Sequence, residues 1–283
     1  MSENLFTNVN RLKICYKLHG KGKPVFLVHG FGTTKEFWIS QIQKLAKKYQ
    51  IIYFDLKGAG KSDRPNHLYT MEMYVEDLRG LMDFLNIKKA HLVGHSFGGM
   101  ISMNFCLKYP DYVDKLILMA TLPSWSRDLS GLELWKKNQI ELYEAMLKNP
   151  IETFYNKMKL RLTRKYLNSM REDPKKKLHG IISTDELIER GKVDPMKTTD
   201  IINMANAMGQ HDTLDRLNEI KNETLIMCGE KDRFTPKSIA NQMKDIIQNS
   251  KLKMFSGSHW FPLENAPDVN QAIIDFLEKL KTL

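Results

Sequence analysis

Along this chain, short unbroken apolar runs alternate with longer stretches in which apolar residues recur every three or four positions, the signatures of buried strands and of the helices packed on them. Residues 9–18 instead alternate apolar and polar positions (Val9, Leu12, Ile14, Tyr16, Leu18), which predicts an antiparallel edge strand with its turn at 20–23. Apolar runs at 24–28, 51–54, 90–93, 113–120, 224–228 and 252–255 predict strands buried on both faces. Helical spacing follows most of them: from a cap at Thr33 or Thr34 to about residue 48, then 70–85, 100–109, from Pro236 to about 247, and 266–280. Strands and helices alternating at this interval predict an α/β domain with a mainly parallel central sheet flanked by helices, and such sheets hold their ligands at the C-terminal ends of the strands.

The rhythm stops between about 123 and 210, where 132–149, 151–170, 184–190 and 198–208 read as helices. The expected organisation is therefore a core built from 1–122 and 213–283 with a helical insertion at 123–212. The apolar faces of the insertion carry Trp125, Trp135, Leu142, Met146, Phe154, Met158, Leu162, Met204 and Met208. Their helical spacing predicts that most are packed core and a minority face a cavity.

Composition narrows the class without deciding the function. The 283 residues are 42% hydrophobic and 27% charged, as in ordinary globular proteins. The first twenty residues lack the apolar centre of a signal peptide and no run is long enough to span a bilayer, so the expected location is cytoplasmic, with no transmembrane segment. Cys15, Cys106 and Cys228 stand apart inside apolar segments, which suggests buried reduced thiols rather than a disulfide framework or a metal site. The net charge is +10, but the lysines are scattered without interleaved aromatics, a solvated surface rather than a nucleic-acid site. The densest basic run, 161–177, would bias the molecule toward anionic substrates or membranes.

The chemistry centres on residues 90–100, Ala-His-Leu-Val-Gly-His-Ser-Phe-Gly-Gly-Met. Gly94, Ser96 and Gly98 form G-x-S-x-G between a strand and a helix. On such a turn the serine is strained, exposed at the top of the sheet and close to the helix N-terminus. A serine hydroxyl needs an imidazole to take its proton, and the imidazole needs a carboxylate to fix its tautomer. His259 and Asp232, each in a loop after a late strand, supply these, with Glu230 as the nearby competitor of Asp232. His95 adjoins the serine but is expected to point away, and His19, His67, His91, His179 and His211 read as structural. The glycine-rich loop at 55–63 fits neither G-x-G-x-x-G nor G-x-x-x-x-G-K-[ST], so it is expected to pack the base of another site rather than cradle phosphate.

Five motifs in order, His29-Gly30-Phe31-Gly32, D-x-x-G-x-G-x-S at 55–62, Gly94-His95-Ser96-Phe97-Gly98-Gly99, G-x-x-D-x-x-x-P at 229–236 and Gly257-Ser258-His259, make the chain resemble the capped α/β-hydrolases of esterase, haloperoxidase and epoxide-hydrolase type. The resemblance covers roughly 1–122 and 213–283, and the middle segment matches the family's helical cap in position only. It implies Ser96 as nucleophile, His259 as base, Asp232 as its acid, the backbone N–H groups of Phe31 and Phe97 as the oxyanion hole, and no metal or organic cofactor. Trp125 and Trp260 are the expected substrate-binding residues.

The function expected from this resemblance is a carboxylesterase acting on a small-molecule ester with an apolar acyl group through an acyl-enzyme. Haloalkane dehalogenases and epoxide hydrolases carry aspartate where this chain has Ser96. Prolyl iminopeptidases usually read Asp-Gln-Arg-Gly where it has Asp55-Leu56-Lys57-Gly58. Trp260 after His259 resembles the meta-cleavage C–C hydrolases, which usually carry Gly-Pro-Gly-type residues where this chain has Phe31-Gly32-Thr33. A C–C hydrolase or lyase using the same triad, and a ligand-binding receptor on the same fold, are the alternatives.

Overall fold

A computed structural model of the chain describes residues 3–125 and 129–278. Among these, eight strands form one sheet: β1 (Leu5–Val9), β2 (Leu12–His19), β3 (Pro24–Val28), β4 (Gln50–Phe54), β5 (Ala90–His95), β6 (Val113–Met119), β7 (Glu223–Gly229) and β8 (Ser250–Phe255), in the order β1-β2-β4-β3-β5-β6-β7-β8. The β1–β2 and β2–β4 pairs are antiparallel, and every other pair is parallel.

The single edge strand expected at 9–18 is a hairpin instead. Asn10 and Arg11 take φ of 51° and 63°, the left-handed pair of a two-residue turn, and break the run after Val9. β1 is therefore the edge, and β2 lies between β1 and β4. β1 carries little strand signal in its sequence, because Leu5–Val9 buries only Thr7 and Val9, a pattern too short to stand out from a polar terminus.

Successive strand residues point to opposite faces, and the core divides accordingly. Phe26, Val28, Ile52, Phe54 and Leu92 pack on one side with helices α2 (Met71–Phe84), α3 (Phe97–Lys108) and α9 (Lys237–Ile246). Val25, Leu27, Ile51, Val93 and Ile117 pack on the other with α1 (Ile39–Leu45) and α11 (Ala266–Glu278), which follows the short α10 (Phe261–Glu264). The helix expected from about 33 to 48 is shorter, opening with a 3₁₀ turn at Lys35–Trp38 that is capped by Thr34, whose hydroxyl accepts the Glu36 N–H. Residues 279–280, the expected end of the last helix, lie outside the described residues.

Between β6 and β7 come α4 (Leu129–Lys148), α5 (Pro150–Met158), α6 (Arg164–Glu172), α7 (Thr184–Lys192) and α8 (Thr198–Gly209). The helix expected at 151–170 is broken between α5 and α6, where Thr163 caps α6 by accepting from Tyr166 N. Tyr155, Met158, Leu162, Leu167, Met170 and Ile188 form a small core of their own there. Among the described residues, no helix is long and apolar enough to cross a membrane. All three cysteines are buried and free.

Candidate active site

β5 delivers the chain to Ser96 and α3 leaves from it, so the residue must turn sharply and takes φ 53°, ψ −118°. For a residue with a side chain this conformation is strained and persists only when its surroundings fix it. Ser96 N donates to Met119 O at 2.9 Å, and Ser96 O accepts from Gly99 N and the Thr121 hydroxyl, both at 2.8 Å. The glycines around it are there for space. A Cβ on Gly98 would lie 2.1 Å from Val28 O, and one on Gly94 would lie 2.4 Å from Gly98 O.

The loops after β7 and β8 bring the other two residues to this serine. His259 Nε2 lies 3.1 Å from Ser96 Oγ and His259 Nδ1 lies 2.9 Å from Asp232 Oδ2. Asp232 accepts three further hydrogen bonds, from Phe234 N (2.8 Å), Thr235 N (3.0 Å) and the Thr235 hydroxyl (2.5 Å). Burial alone would raise the Asp232 carboxyl, but His259 and the Thr235 donors outweigh it and hold the group below its ordinary value. An ionised Asp232 fixes the proton of His259 on Nδ1 and leaves Nε2 to accept from Ser96. Nothing in the sequence distinguished Thr235 as a partner of Asp232.

His95 packs beside His259. Its ring centroid lies 5.0 Å from that of His259, and its Nε2–H donates to the main-chain oxygen of His259 at 2.9 Å. Burial, and then the charge of His259, push His95 down to about 3, so it stays neutral. It bonds the loop that carries His259 and makes no hydrogen bond to Ser96 Oγ.

The loop after β3 approaches the serine from the opposite side, where a Cβ on Gly30 would lie 3.2 Å from that of Ser96. His29 holds this loop: its Nδ1–H donates to Gly30 O at 2.9 Å and its Nε2 accepts from Leu56 N at 3.0 Å. The N–H groups of Phe31 and Phe97 donate to no other group among the described residues. Phe97 is the first residue of α3, where backbone N–H groups and the helix dipole face an incoming negative charge. The 55–63 loop is a structural knot, as expected. Asp55 accepts from Lys35 N, Lys35 Nζ and Lys61 N, and a Cβ on Gly60 would strike its carboxylate.

Two cavities meet here. A small one of about 40 Å³ is lined by Ser96, His259, Trp125, Trp135, Arg161 and Phe234, and a larger one of about 200 Å³ by Leu142, Met146, Phe154, Met158, Lys157 and Ile188. Phe31, Thr33 and Trp260 line both. Trp125 lines the small cavity and Trp260 stands between the two.

One expectation about the insertion is corrected in part. Most of its named apolar residues do belong to packed clusters, but most of them also line a cavity, and only Leu162 and Met204 stand away from both cavities. Helical spacing marks which face is apolar, but not whether another element fills the space against it. The basic run at 161–177 divides by exposure. Arg161 is buried in the wall of the small cavity, whereas Arg164, Lys165, Arg171, Lys175, Lys176 and Lys177 are exposed.

Comparison with known proteins agrees with this fold. Residues 23–266 match the family described as alpha/beta hydrolase fold. A 2-hydroxy-6-oxo-6-phenylhexa-2,4-dienoate hydrolase of Comamonas testosteroni is 28% identical over 94% of this chain and 91% of its own, and a proline iminopeptidase of Lactobacillus acidophilus is 30% identical over 82% of each. A thermophilic esterase from Thermogutta terrifontis, solved with malate bound, superposes with a TM-score of 0.78 at 25% identity, covering 98% of both chains. Uncharacterized proteins of Mycobacterium tuberculosis and Mycobacterium bovis are 35% identical over 115 residues, and the chain spans only 34% of their length. With the match running from β3 to β8 and through the serine turn and both partner loops, this chain belongs to the alpha/beta hydrolase fold family.

Proposed function

We propose that the protein is a serine hydrolase cleaving small carboxylic esters through an acyl-enzyme. The reading is carried by one observation, the relay from Ser96 Oγ to His259 Nε2 at 3.1 Å and from His259 Nδ1 to Asp232 Oδ2 at 2.9 Å. His259 takes the proton of Ser96 as its oxygen attacks the ester carbonyl, and Asp232 stabilises the imidazolium that results. The N–H groups of Phe31 and Phe97 receive the developing oxyanion. Collapse of the tetrahedral intermediate breaks the C–O bond, and His259 returns the proton to the departing alcohol. A water deprotonated by His259 then releases the acid and restores Ser96. In this reading residues 123–212 are a cap over the serine that sets substrate size, and Trp125 and Trp260 contact the substrate.

Hydrolysis of 4-nitrophenyl esters of increasing acyl length tests the proposal, with Ser96→Ala and His259→Ala run beside the wild type. Turnover lost in both variants is expected. Full activity in Ser96→Ala would overturn the assignment.

A second reading, hydrolysis of a C–C bond next to a ketone, is supported by Trp260 after His259, in the wall of both cavities, and by the similarity to the dienoate hydrolase. Labelling of Ser96 by a phosphonate without turnover of any ester would move the assignment there.

A further inference from the structure

Five cations are almost wholly buried among the described residues: Lys17, Lys35, Lys57, Lys115 and Arg161. Four of them meet a carboxylate, Lys17 with Glu36 at 2.9 Å, Lys35 with Asp55 at 2.7 Å, Lys57 with Asp77 at 3.1 Å and Lys115 with Glu223 at 3.1 Å. Arg161, 7% exposed, pairs with none among the described residues. A buried charge without a partner is costly, and chains keep one where something outside the protein completes it.

The surroundings of Arg161 show where that partner would sit. It follows α5, and one of its Nη1 protons is spent on Lys157 O at 2.8 Å, closing the helix end. Its main-chain oxygen accepts from Trp260 N at 2.8 Å, tying it to the residue after His259. The guanidinium lies 5.7 Å from the ring centroid of Phe234, whose ring in turn lies 5.0 Å from that of His259. Arg161 is therefore fixed in the wall of the cavity that holds Ser96, with guanidinium donors to spare. Lys157, one turn earlier, extends to Gly32 O at 3.2 Å and has no carboxylate partner among the described residues either. Burial, and then the charge of Arg161, push Lys157 down to about 7, and an anion held by Arg161 would relieve Lys157 of that repulsion.

We propose that Arg161 receives a carboxylate of the substrate, so that the ester cleaved here is an acidic one, with a short carboxylate-bearing half in the small cavity and an apolar half in the larger one. This rests on the reading of Ser96 as an ester-cleaving nucleophile. The small cavity, at about 40 Å³, has room for about three waters' worth of atoms, enough for a carboxylate on a short chain. The planar fork of an arginine matches a carboxylate with two parallel hydrogen bonds, which a neutral ester of the same length cannot make.

The test compares kcat/KM for mono-4-nitrophenyl glutarate against 4-nitrophenyl pentanoate, and for O-butanoyl glycolate against ethyl butanoate, which put the carboxylate on the acyl and alcohol halves in turn. Each pair is run with wild type, Arg161→Gln and Arg161→Lys, and glutarate binding to the same three proteins is measured by calorimetry. Wild type should prefer the acidic member of at least one pair by about 10- to 100-fold. Arg161→Gln should abolish that preference and Arg161→Lys should keep part of it. No preference in the wild type, or an equal loss on acidic and neutral esters in both variants, would overturn the proposal. If no ester is cleaved, the ester reading falls, and glutarate binding decides the matter for Arg161: binding weakened about tenfold or more in Arg161→Gln sustains the anion site, and no binding to the wild type overturns it.

Discussion

Lys35 and Arg161 are both buried cations, one in the sheet half of the molecule and one in the helical insertion, and their surroundings are opposite. Lys35 has Asp55 against it, and that carboxylate also accepts the Lys35 and Lys61 N–H groups. Burial would discharge Lys35, but Asp55 outweighs it and holds the ammonium above its ordinary value. Arg161 has no such partner among the described residues, and burial alone pulls it down to about 10. A cation whose partner is supplied by the fold is part of the scaffold. A cation left for a ligand to complete is part of a site.

The same division runs through the two halves. Around Ser96, glycines at 94, 98 and 99 let backbone and side chains close to distances that no Cβ would allow, and hydrogen bonds on either side hold the strained serine. In the insertion, α4, α5 and α7 leave apolar side chains facing open volume. In the proposed function, chemistry sits on the over-determined half and selectivity on the under-filled one.

The largest effect expected is on the chemistry. Ser96→Ala, or Asp232→Asn, which leaves His259 without its charged partner, should lower kcat/KM by about 10⁴-fold while leaving the thermal midpoint near that of wild type. Loss of folding alongside loss of activity would show that these residues belong to the scaffold instead. Asp55→Asn comes next, now in stability: it leaves Lys35 as a buried charge facing a neutral group and should cost about 3–5 kcal/mol in urea unfolding. Arg161→Gln should cost less than about 1 kcal/mol by the same measurement, since it breaks no ion pair among the described residues. Equal destabilisation by the two substitutions would erase the distinction between scaffold and site.

Acid stability gives a further measure. His211, donating from Nε2 to Leu122 O and bonded at Nδ1 to Asn104, is pushed down to about 4, mainly by burial. Its folded value lies below the unfolded value of about 6.5, so below pH 6.5 the unfolded chain binds more protons and stability falls as pH drops toward 4. His95 acts in the same direction. The thermal midpoint should hold above pH 6.5 and decline steadily from there to pH 4.5, and a flat profile across that range would contradict the burial of both rings. The smallest effect is expected from Thr235→Val, which removes one of the hydrogen bonds on Asp232 and should lower kcat/KM several-fold by raising the pH at which activity is lost on the acid side.

How far the sequence could be read followed the same line. The serine turn, the strands of the parallel sheet and the loops carrying Asp232 and His259 were legible because each depends on local constraints: a glycine where a Cβ would collide, an apolar run that must be buried, a polar residue at a strand end. The β1–β2 hairpin was missed because its turn is Asn10-Arg11, a pair without glycine. Arg161 was read as one member of a basic run, since charge along a sequence says nothing about which way a chain turns after a helix ends. The cavity lining of the insertion was misjudged for a related reason: a helix face that is apolar for packing and one that is apolar for a substrate carry the same pattern.

The central claim is that Ser96 carries the acyl group between two half-reactions. Rapid mixing of the protein with a 4-nitrophenyl ester, acid quenching within the first turnover and mass analysis of peptides tests it directly. The account predicts an added acyl mass on the peptide containing Ser96, appearing with a burst of nitrophenol and absent in Ser96→Ala. Steady ester turnover with no burst and no adduct on that peptide would contradict it.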